Sequence, residues 1–188
     1  PASYRAYGEI KCFTNEELNT LEKRLKSTNL ITAYYLGINL GVREGECFAL
    51  RFSDINWDKK TIRINKQLQF QNKQWSFIVP KTVSSDRTIK LGDKLTQYLS
   101  ELQKKYLQNK EEYGDGYAIN FVTDCLGKQP KRIVVDDFIN IKPNGEMLTT
   151  NSVKFISRIA KLELGIEFKY HKLRHTHTTM LAESGVNP

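Results

Sequence analysis

The sequence predicts a mainly α-helical domain with a small three-stranded antiparallel sheet, which is an α+β fold. Six segments place apolar residues at helical spacing, and one region in the first half alternates apolar and polar residues at period two. The 188 residues, of which 39% are hydrophobic, are enough for one domain with a sizeable core.

The helices of the first half have clear boundaries. Thr14 with Glu17 three residues later is a capping box, which predicts the start of the first helix. A second helix is predicted over 30–40, where apolar side chains on most sides indicate burial, and Gly41 ends it. A short third helix begins near Arg43.

The strands follow the third helix. Residues 61–64, 75–79 and 87–91 have the alternation of strands and are separated by turn-like segments. Because the links between them are short, we expect the three strands to form an antiparallel meander.

The second half of the chain is again helical. Asp93 is the predicted N-cap of a long helix that ends at Gly114, and two further helices end at Gly165 and Gly185. Residues 124–149 contain several turn signals and are interpreted as an irregular insertion with room for a hairpin, without a predicted function.

The chain is basic, with 29 Lys and Arg against 21 Asp and Glu and a formal net charge of +8. This excess favours a polyanionic partner, and nucleic acid is the first candidate. A solvated basic surface explains the charge equally well.

The cysteines bear on the cellular environment. Cys12, Cys47 and Cys125 lie far apart and include no CxxC spacing, so neither a disulfide framework nor a zinc site is supported. This pattern favours a reducing, cytoplasmic environment. No apolar run approaches the roughly 20 residues of a membrane span, so we expect no membrane association.

The turn between the second and third helices carries the first candidate residues, within Gly-Val-Arg-Glu-Gly-Glu at 41–46. Arg43 can project from this helix entry toward an anion, and Glu46, one turn further, can hold its guanidinium. Taken alone, an arginine and a glutamate at this spacing are more often an ordinary surface ion pair.

His171 and Arg174 form the second candidate group. Three residues apart in the last helix, they lie on one face and place an acid–base group beside a bidentate phosphate ligand. Lys81, in the loop after the second strand, can donate a proton to a leaving oxygen. The residues alone also fit a solvated lysine, a packed histidine and an arginine paired with an acid.

No metal or cofactor is expected. His175 and His177 have no cysteine or carboxylate at ligand spacing nearby. His177 falls on the predicted apolar face with Leu173 and Met180, which favours a packed imidazole. Candidate contacts to a DNA backbone come from five further side chains: Lys66, Lys73, Arg87, Lys172 and His175.

Together these motifs resemble the catalytic domain of the tyrosine recombinases, also called phage-type integrases. The resemblance runs from about Phe13 to the end of the chain and rests on four features in a fixed order. These are the capped first helix, the box at 41–46 with its continuation at 50–55, the Pro-Lys-Thr hairpin followed by Arg-Thr-Ile, and His-Lys-Leu-Arg-His-Thr at 171–176. Each feature alone is unspecific, whereas the ordered set is specific.

The resemblance implies a metal-free phosphoryl-transfer site that acts on double-stranded DNA. By position, Arg43 and Arg174 clamp the scissile phosphate, and Glu46 supports Arg43. Lys81 protonates the departing 5′-oxygen, and His171 assists proton transfer and hydrogen-bonds the phosphate. Preorganised cations and a general acid can replace a magnesium ion in such chemistry.

The family's nucleophile is a tyrosine well after the His-x-x-Arg motif, and no tyrosine occupies that place here, since Tyr170 precedes the motif. We therefore expect residues 1–12 to be a lead-in from a missing N-terminal DNA-binding domain. Residues 13–188 are then a catalytic domain that lacks its tyrosine segment. Such a chain binds DNA without cleaving it, and the full-length protein self-associates on DNA.

Two alternatives keep the same fold. One is a non-catalytic DNA-binding regulator, and the other is a type IB topoisomerase-like enzyme. Relaxation of supercoiled DNA, set against strand exchange between two sites, distinguishes the topoisomerase from the recombinase.

Overall fold

The described part of the chain, residues 12–80 and 86–185 of this computed structural model, folds into six α-helices and seven short strands. The helices are α1 (Asn15–Leu25), α2 (Ile31–Leu40), α3 (Glu44–Ala49), α4 (Asp93–Tyr113), α5 (Val153–Leu164) and α6 (Tyr170–Glu183). The strands are β1 (Ile55–Asn56), β2 (Thr61–Ile64), β3 (Gln67–Gln71), β4 (Gln74–Ile78), β5 (Arg87–Lys90), β6 (Asn120–Asp124) and β7 (Lys131–Val135). The predicted fold class, mainly α with a small three-stranded antiparallel sheet, is confirmed.

The predicted start of α1 and the predicted end of α2 are both confirmed. The backbone N–H of Glu17 donates to Thr14 Oγ1 at 3.1 Å, and the backbone N–H of Thr14 donates to Glu17 Oε2 at 2.8 Å. Gly41 ends α2 in the left-handed conformation, with φ of 58°. This glycine matters for the site because the chain turns there from α2 into α3.

The start of α4 differs by one residue from the prediction. Its N-cap is Gly92, and Asp93 is the first helical residue, with a carboxylate that accepts a hydrogen bond from Lys60 Nζ at 2.8 Å. At 21 residues α4 is the longest helix, and it is rich in charged side chains. Within the described ranges, no helix is both long enough and apolar enough to cross a membrane.

The strands form two sheets, so the predicted meander is wrong. β1, β2 and β5 make the three-stranded antiparallel sheet, while β3, β4, β6 and β7 make a second sheet in which β4 and β6 are parallel. β2 pairs with β5, and the β3–β4 hairpin that lies between them in sequence joins β6 instead. Alternation at period two indicates which face of a strand is buried but not which strand pairs with it.

Part of the region 124–149 is regular. β7 pairs antiparallel with β6, from Asn120 opposite Val135 to Asp124 opposite Lys131. This region therefore contributes the second strand of a hairpin and extends the second sheet to an edge at β7.

Close packing of α6 against α2 sets the position of the last helix. A Cβ added at Gly37 would lie 2.8 Å from Leu173 Cδ1 and 3.0 Å from Tyr170 Oη, so only glycine leaves room for these side chains. The Tyr170 hydroxyl also donates to the Ala33 carbonyl at 3.1 Å. Tyr170 and Leu173, both in the first turn of α6, are thus fixed on α2 by close packing and by one hydrogen bond.

The predicted apolar face of α6 holds only for its first turns. Leu173 is fully buried, whereas Met180 is 46% exposed, so the core contact predicted for Met180 is wrong. Thr176 is buried instead, and its hydroxyl accepts a hydrogen bond from the Phe13 backbone at 2.9 Å. The polar Thr176 thereby links the start of α1 to α6.

Candidate functional site

The first half of the site is the turn from α2 into α3. Arg43 is the N-cap of α3, and its backbone N–H donates to Glu46 Oε2 at 2.9 Å. Its side chain returns to the same carboxylate, with Nη1 2.9 Å from Oε1. The Glu46 side chain is 1% exposed and that of Arg43 is 47% exposed. A buried carboxylate therefore orients a guanidinium that remains accessible at the surface.

A second arginine binds the same carboxylate. Arg87, the first residue of β5, places Nη2 2.8 Å from Glu46 Oε2 and Nη1 3.2 Å from Oε1. Burial alone would raise the pKa of Glu46, but hydrogen bonds from Arg87 and Arg43 more than offset it and hold that pKa below its ordinary value. The carboxylate is therefore ionised at neutral pH, although almost no water reaches it.

The third arginine comes from α6. The Arg174 guanidinium donates through Nη1 to the carbonyl of Gly41, the residue that turns the chain from α2 toward Arg43. Burial, followed by the positive charges of Arg43 and Arg87, lowers the pKa of Arg174 from its ordinary value.

His171 lies one helical turn before Arg174 and is exposed. Its ring meets the His175 ring edge-on, with centroids 4.3 Å apart. Partial burial, the neighbouring His175 ring and the charges of two arginines lower the pKa of His171 below its ordinary value of 6.5. The imidazole is therefore mostly neutral near pH 7, and it can both accept and donate a hydrogen bond.

His177 packs beneath this group. Its Nδ1 lies 2.9 Å from the Ile38 carbonyl oxygen, and a Cβ added at Gly41 would come within 2.5 Å of its ring. The imidazole is packed, as its position on α6 predicts. With Arg174 one turn earlier on the Gly41 carbonyl, it fixes α6 against the end of α2.

These contacts bring three guanidiniums, one imidazole and one carboxylate together from α3, β5 and α6. We call Arg43, Glu46, Arg87, His171 and Arg174 the arginine cluster. Because one carboxylate offsets only one of three cations, the cluster keeps a net positive charge. Fixed donors of this kind suit a tetrahedral anion whose charge grows during a reaction. In residues 12–80 and 86–185, no His, Cys, Asp and Glu side chains group in threes as metal ligands would.

The sequence pattern of the phage integrase family matches residues 11–188. The chain belongs to the phage integrase family. A curated member, described as a tyrosine recombinase XerC-like protein of Caldanaerobacter subterraneus subsp. tengcongensis, is 27% identical over 95% of this chain and 45% of its own length.

Solved structures of other integrases share the fold of this family member. A Tn1549 transposon integrase in complex with transposon right-end DNA superposes with a TM-score of 0.70 at 18% identity, over 95% of this chain and 55% of its own. The catalytic core of lambda integrase gives a TM-score of 0.54 at 16% identity, over 92% of this chain and 84% of its own. The chain thus spans about half the length of the XerC-like relative and of the Tn1549 integrase.

The lysines predicted as proton donor or DNA contacts in this integrase-family chain lie apart from the arginine cluster or outside the described residues. Lys81 belongs to residues 81–85, which the structure does not describe. Lys66 is 7% exposed, and its Nζ lies 2.6 and 2.7 Å from the two carboxylate oxygens of Asp54. Because Asp54 binds its Nζ and the side chain is buried, Lys66 is not available to contact DNA.

Two further predicted contacts lie on other surfaces. Lys172 Nζ lies over the Phe13 ring, 4.1 Å from its centroid, and 3.8 Å from a Glu17 oxygen, so it is held against α1. Lys73 is exposed in the β3–β4 turn with φ of 61°. His175, by contrast, touches His171 and stays with the arginine cluster.

The partner of Arg87 is what sequence reasoning missed. Arg87 is predicted to contact the DNA backbone, yet the structure places both of its terminal nitrogens on Glu46, 41 residues away. One signal was present in the sequence: Arg87 shares the inward phase of its strand with Ile89 and Leu91. An arginine in an inward-facing phase indicates a buried acid.

Proposed function

We propose that this chain is the phosphate-binding core of a site-specific DNA recombinase that acts on double-stranded DNA in the cytoplasm. The observation that carries the proposal is that Arg43 and Arg87 bind one buried carboxylate, while Arg174, one helical turn from His171, binds the carbonyl of Gly41 two residues before Arg43. Family membership supports it, and so do the names of the relatives, a tyrosine recombinase and an integrase in complex with DNA.

In this proposal Arg43 and Arg174 bind the two non-bridging oxygens of the scissile phosphate. A tyrosine hydroxyl attacks the phosphorus atom and gives its proton to the neutral His171, the bond from phosphorus to the 5′-oxygen breaks, and Lys81 gives a proton to that oxygen. A 5′-hydroxyl then attacks the 3′-phosphotyrosyl intermediate and returns a proton to Lys81; the bond from phosphorus to the tyrosine oxygen breaks, His171 returns the proton to the tyrosine, and the phosphodiester is restored. His171, neutral near pH 7, hydrogen-bonds the phosphate and assists proton transfer.

We propose that Tyr170, the tyrosine nearest to the His-x-x-Arg motif, is not the attacking group. Tyr170 is next to His171 in sequence, but it is buried, and its hydroxyl donates to the Ala33 carbonyl at 3.1 Å. Burial also raises its pKa well above the ordinary value. We therefore propose that the 188-residue chain binds DNA without cleaving it, and that a catalytic tyrosine must be added to it.

The test measures binding of the chain to a duplex by fluorescence anisotropy over a range of salt concentrations. Binding should weaken steeply with salt because phosphate contacts release counterions. Arg43→Gln and Arg174→Gln should each lower the magnitude of the salt slope by about one. The control is Arg158→Gln, which removes the same charge from an exposed position on α5.

Two outcomes would contradict this proposal. A flat salt response would exclude the DNA backbone as the partner. A covalent protein–DNA adduct formed by the 188-residue chain, seen by denaturing electrophoresis, would show that one of its own tyrosines is the nucleophile.

We also propose that protomers associate on DNA in the full-length protein. A lambda integrase solved as a dimer on a core site supports this arrangement. Sedimentation velocity of the full-length protein with and without its DNA site tests it, and a single protomer per site would contradict it.

A further inference from the structure

We propose that Arg87 is a positioning residue for Arg43. It offsets the charge of Glu46, so that the charges of both Arg43 and Arg174 remain available to a phosphate and Arg43 keeps its outward orientation. The inference rests on the proposed function, because its effect is read on phosphate binding.

The charges within the arginine cluster make a second arginine necessary. Glu46 is 1% exposed, so water solvates its charge poorly, and the two guanidiniums of Arg43 and Arg87 take over that role. Two guanidiniums against one carboxylate leave this group with a charge of +1. Without Arg87 the pair of Arg43 and Glu46 would sum to zero, so that Arg174 alone would give the cluster its positive charge, and the cluster would attract a phosphate less strongly.

The hydrogen bonds also show how Arg87 sets the orientation of Arg43. Arg43 Nη1 reaches Glu46 Oε1, while Oε2 accepts the Arg43 backbone N–H and Arg87 Nη2. Without Arg87, Oε2 loses its only side-chain donor among these bonds. The unpaired charge on Oε2 then attracts the Arg43 guanidinium inward, where it can bind both oxygens, and its exposed nitrogens are withdrawn from the surface.

Burial separates this role from a direct DNA contact. The side chain of Arg87 is 25% exposed, about half the value for Arg43, and both of its terminal nitrogens bind Glu46. Ile64 is the residue opposite Arg87 on β2, so the two share the buried face of the sheet.

The same sheet supplies a matched control. Arg63 lies opposite Thr88 and therefore on the other face of the sheet, where its side chain is 60% exposed and bonds Asp86 at 3.0 and 3.2 Å. Arg63→Gln and Arg87→Gln remove the same charge from adjacent strands. Only the second substitution alters the surroundings of Glu46.

The experiment is a double-mutant cycle on the 188-residue chain, with affinity for a mixed-sequence duplex as the readout. Arg87→Gln should weaken binding about tenfold, and in an Arg43→Gln background it should weaken it less than about twofold, because its effect passes through Arg43. Arg63→Gln should weaken binding by about twofold in either background. Equal losses from Arg87→Gln in both backgrounds would overturn the inference.

A second background tests the charge argument. Glu46→Gln has the same shape but no charge to offset, so Arg87→Gln should cost less than about twofold when added to it. A tenfold loss there would mean that Arg87 contacts the phosphate itself and would overturn the inference.

Thermal unfolding checks that each variant is folded. If Arg87→Gln does not fold, Arg87→Lys replaces it: a lysine keeps the charge but cannot bind both oxygens as a fork, so binding should recover only in part. Full recovery with lysine would overturn the positioning role.

Failure of the two proposals can be told apart. If the unsubstituted chain shows no salt-dependent binding, the proposed function fails, and this inference fails with it. If the unsubstituted chain binds and the losses are additive, the inference alone is overturned.

Discussion

Asp54 and Glu46 are carboxylates with little exposure to water, and they bind different numbers of cations. Asp54 holds Lys66, and the two side chains are 13% and 8% exposed. Glu46 binds both Arg43 and Arg87. The charges of these two arginines, together with burial, lower the pKa of Arg174. The first group is balanced and closed, whereas the second carries more positive charge than its acid can offset.

We interpret this difference as the one between an ion pair that only stabilises the fold and an ionic group that can also bind an anion. Removing charges from water is costly, and a one-to-one pair such as Lys66 with Asp54 recovers that cost by satisfying both partners. Neither charged group of such a pair is then available to bind a ligand. A carboxylate with several arginines also satisfies its own charge, but the surplus cation is then held in place beside water, where an anion can reach it.

Separating stability from binding is the strongest test of this contrast. Lys66→Met leaves Asp54 buried without its cation and should lower the free energy of unfolding by about 3–5 kcal/mol, while the affinity of the folded chain for DNA stays the same. Arg43→Gln should do the reverse, with a loss of about 1 kcal/mol or less, because its side chain is 47% exposed. Chemical denaturation and anisotropy measure the two quantities.

The double substitution Asp54→Asn with Lys66→Met is the control for that test. It removes both charges, so most of the lost stability should return. A drop in DNA affinity for folded Lys66→Met would show that the balanced pair also serves the ligand, and the contrast would then be wrong.

Gly41 tests whether helix packing holds the arginine cluster together. Gly41→Ala places a Cβ at φ of 58°, within 2.5 Å of the His177 ring, and disturbs the carbonyl that Arg174 binds. We expect a loss of about 2 kcal/mol in stability and a clear loss of DNA affinity. Gly165→Ala is the matched control, because Gly165 has φ of 68° with no atom within 4 Å of an added Cβ. It should lose about 1 kcal/mol with unchanged affinity; equal affinity losses in both variants would contradict this explanation.

The smallest expected effect is on pH dependence. The surplus positive charge helps to keep the pKa of His171 below 6.5 in the folded chain, and a bound phosphate should raise it. Binding then takes up a proton, so affinity should rise as pH falls from about 7 to 5.5, by a few-fold at most. His171→Gln should remove this slope, and NMR titration of the His171 ring measures the pKa directly. A slope that persists in the variant would assign the proton to another group.

Stability should change with pH in the opposite direction. His171 and His177 both have pKa values lowered from 6.5 in the folded chain. As pH falls below about 6.5, the unfolded chain binds protons before the folded chain does, so the free energy of unfolding decreases. Denaturation midpoints measured in the same pH range check this sign.

Local signals in the sequence were enough for much of the fold and half of the arginine cluster. The capping box at Thr14 and Glu17, the turn at Gly41 and the pair of Arg43 with Glu46 each span at most a few residues, so spacing alone predicts them. The pairing of His171 with Arg174 on one helix face is of the same kind.

The parts that were missed depend on contacts between distant segments. Nothing in the immediate sequence of Lys66 distinguishes a surface lysine from one that binds Asp54. The inward phase of Arg87 indicates a buried acid, but it does not show that this acid is Glu46. The order of the strands also depends on which partner each strand finds, and that choice is made by packing of the whole domain. Charge type is local information, whereas the identity of the partner is not.

The hydrogen bond from Arg174 to Gly41 joins residues 133 positions apart, and this separation has a consequence for protein synthesis. On a ribosome that adds about 5–20 residues per second, Arg43 and Glu46 are made on the order of ten seconds before α6. During that time α2 has no helix against Gly37 and Gly41, and the nascent chain lacks Arg174. In the function that we propose, the phosphate site is therefore completed in one late step, when α6 docks on the two glycines of α2.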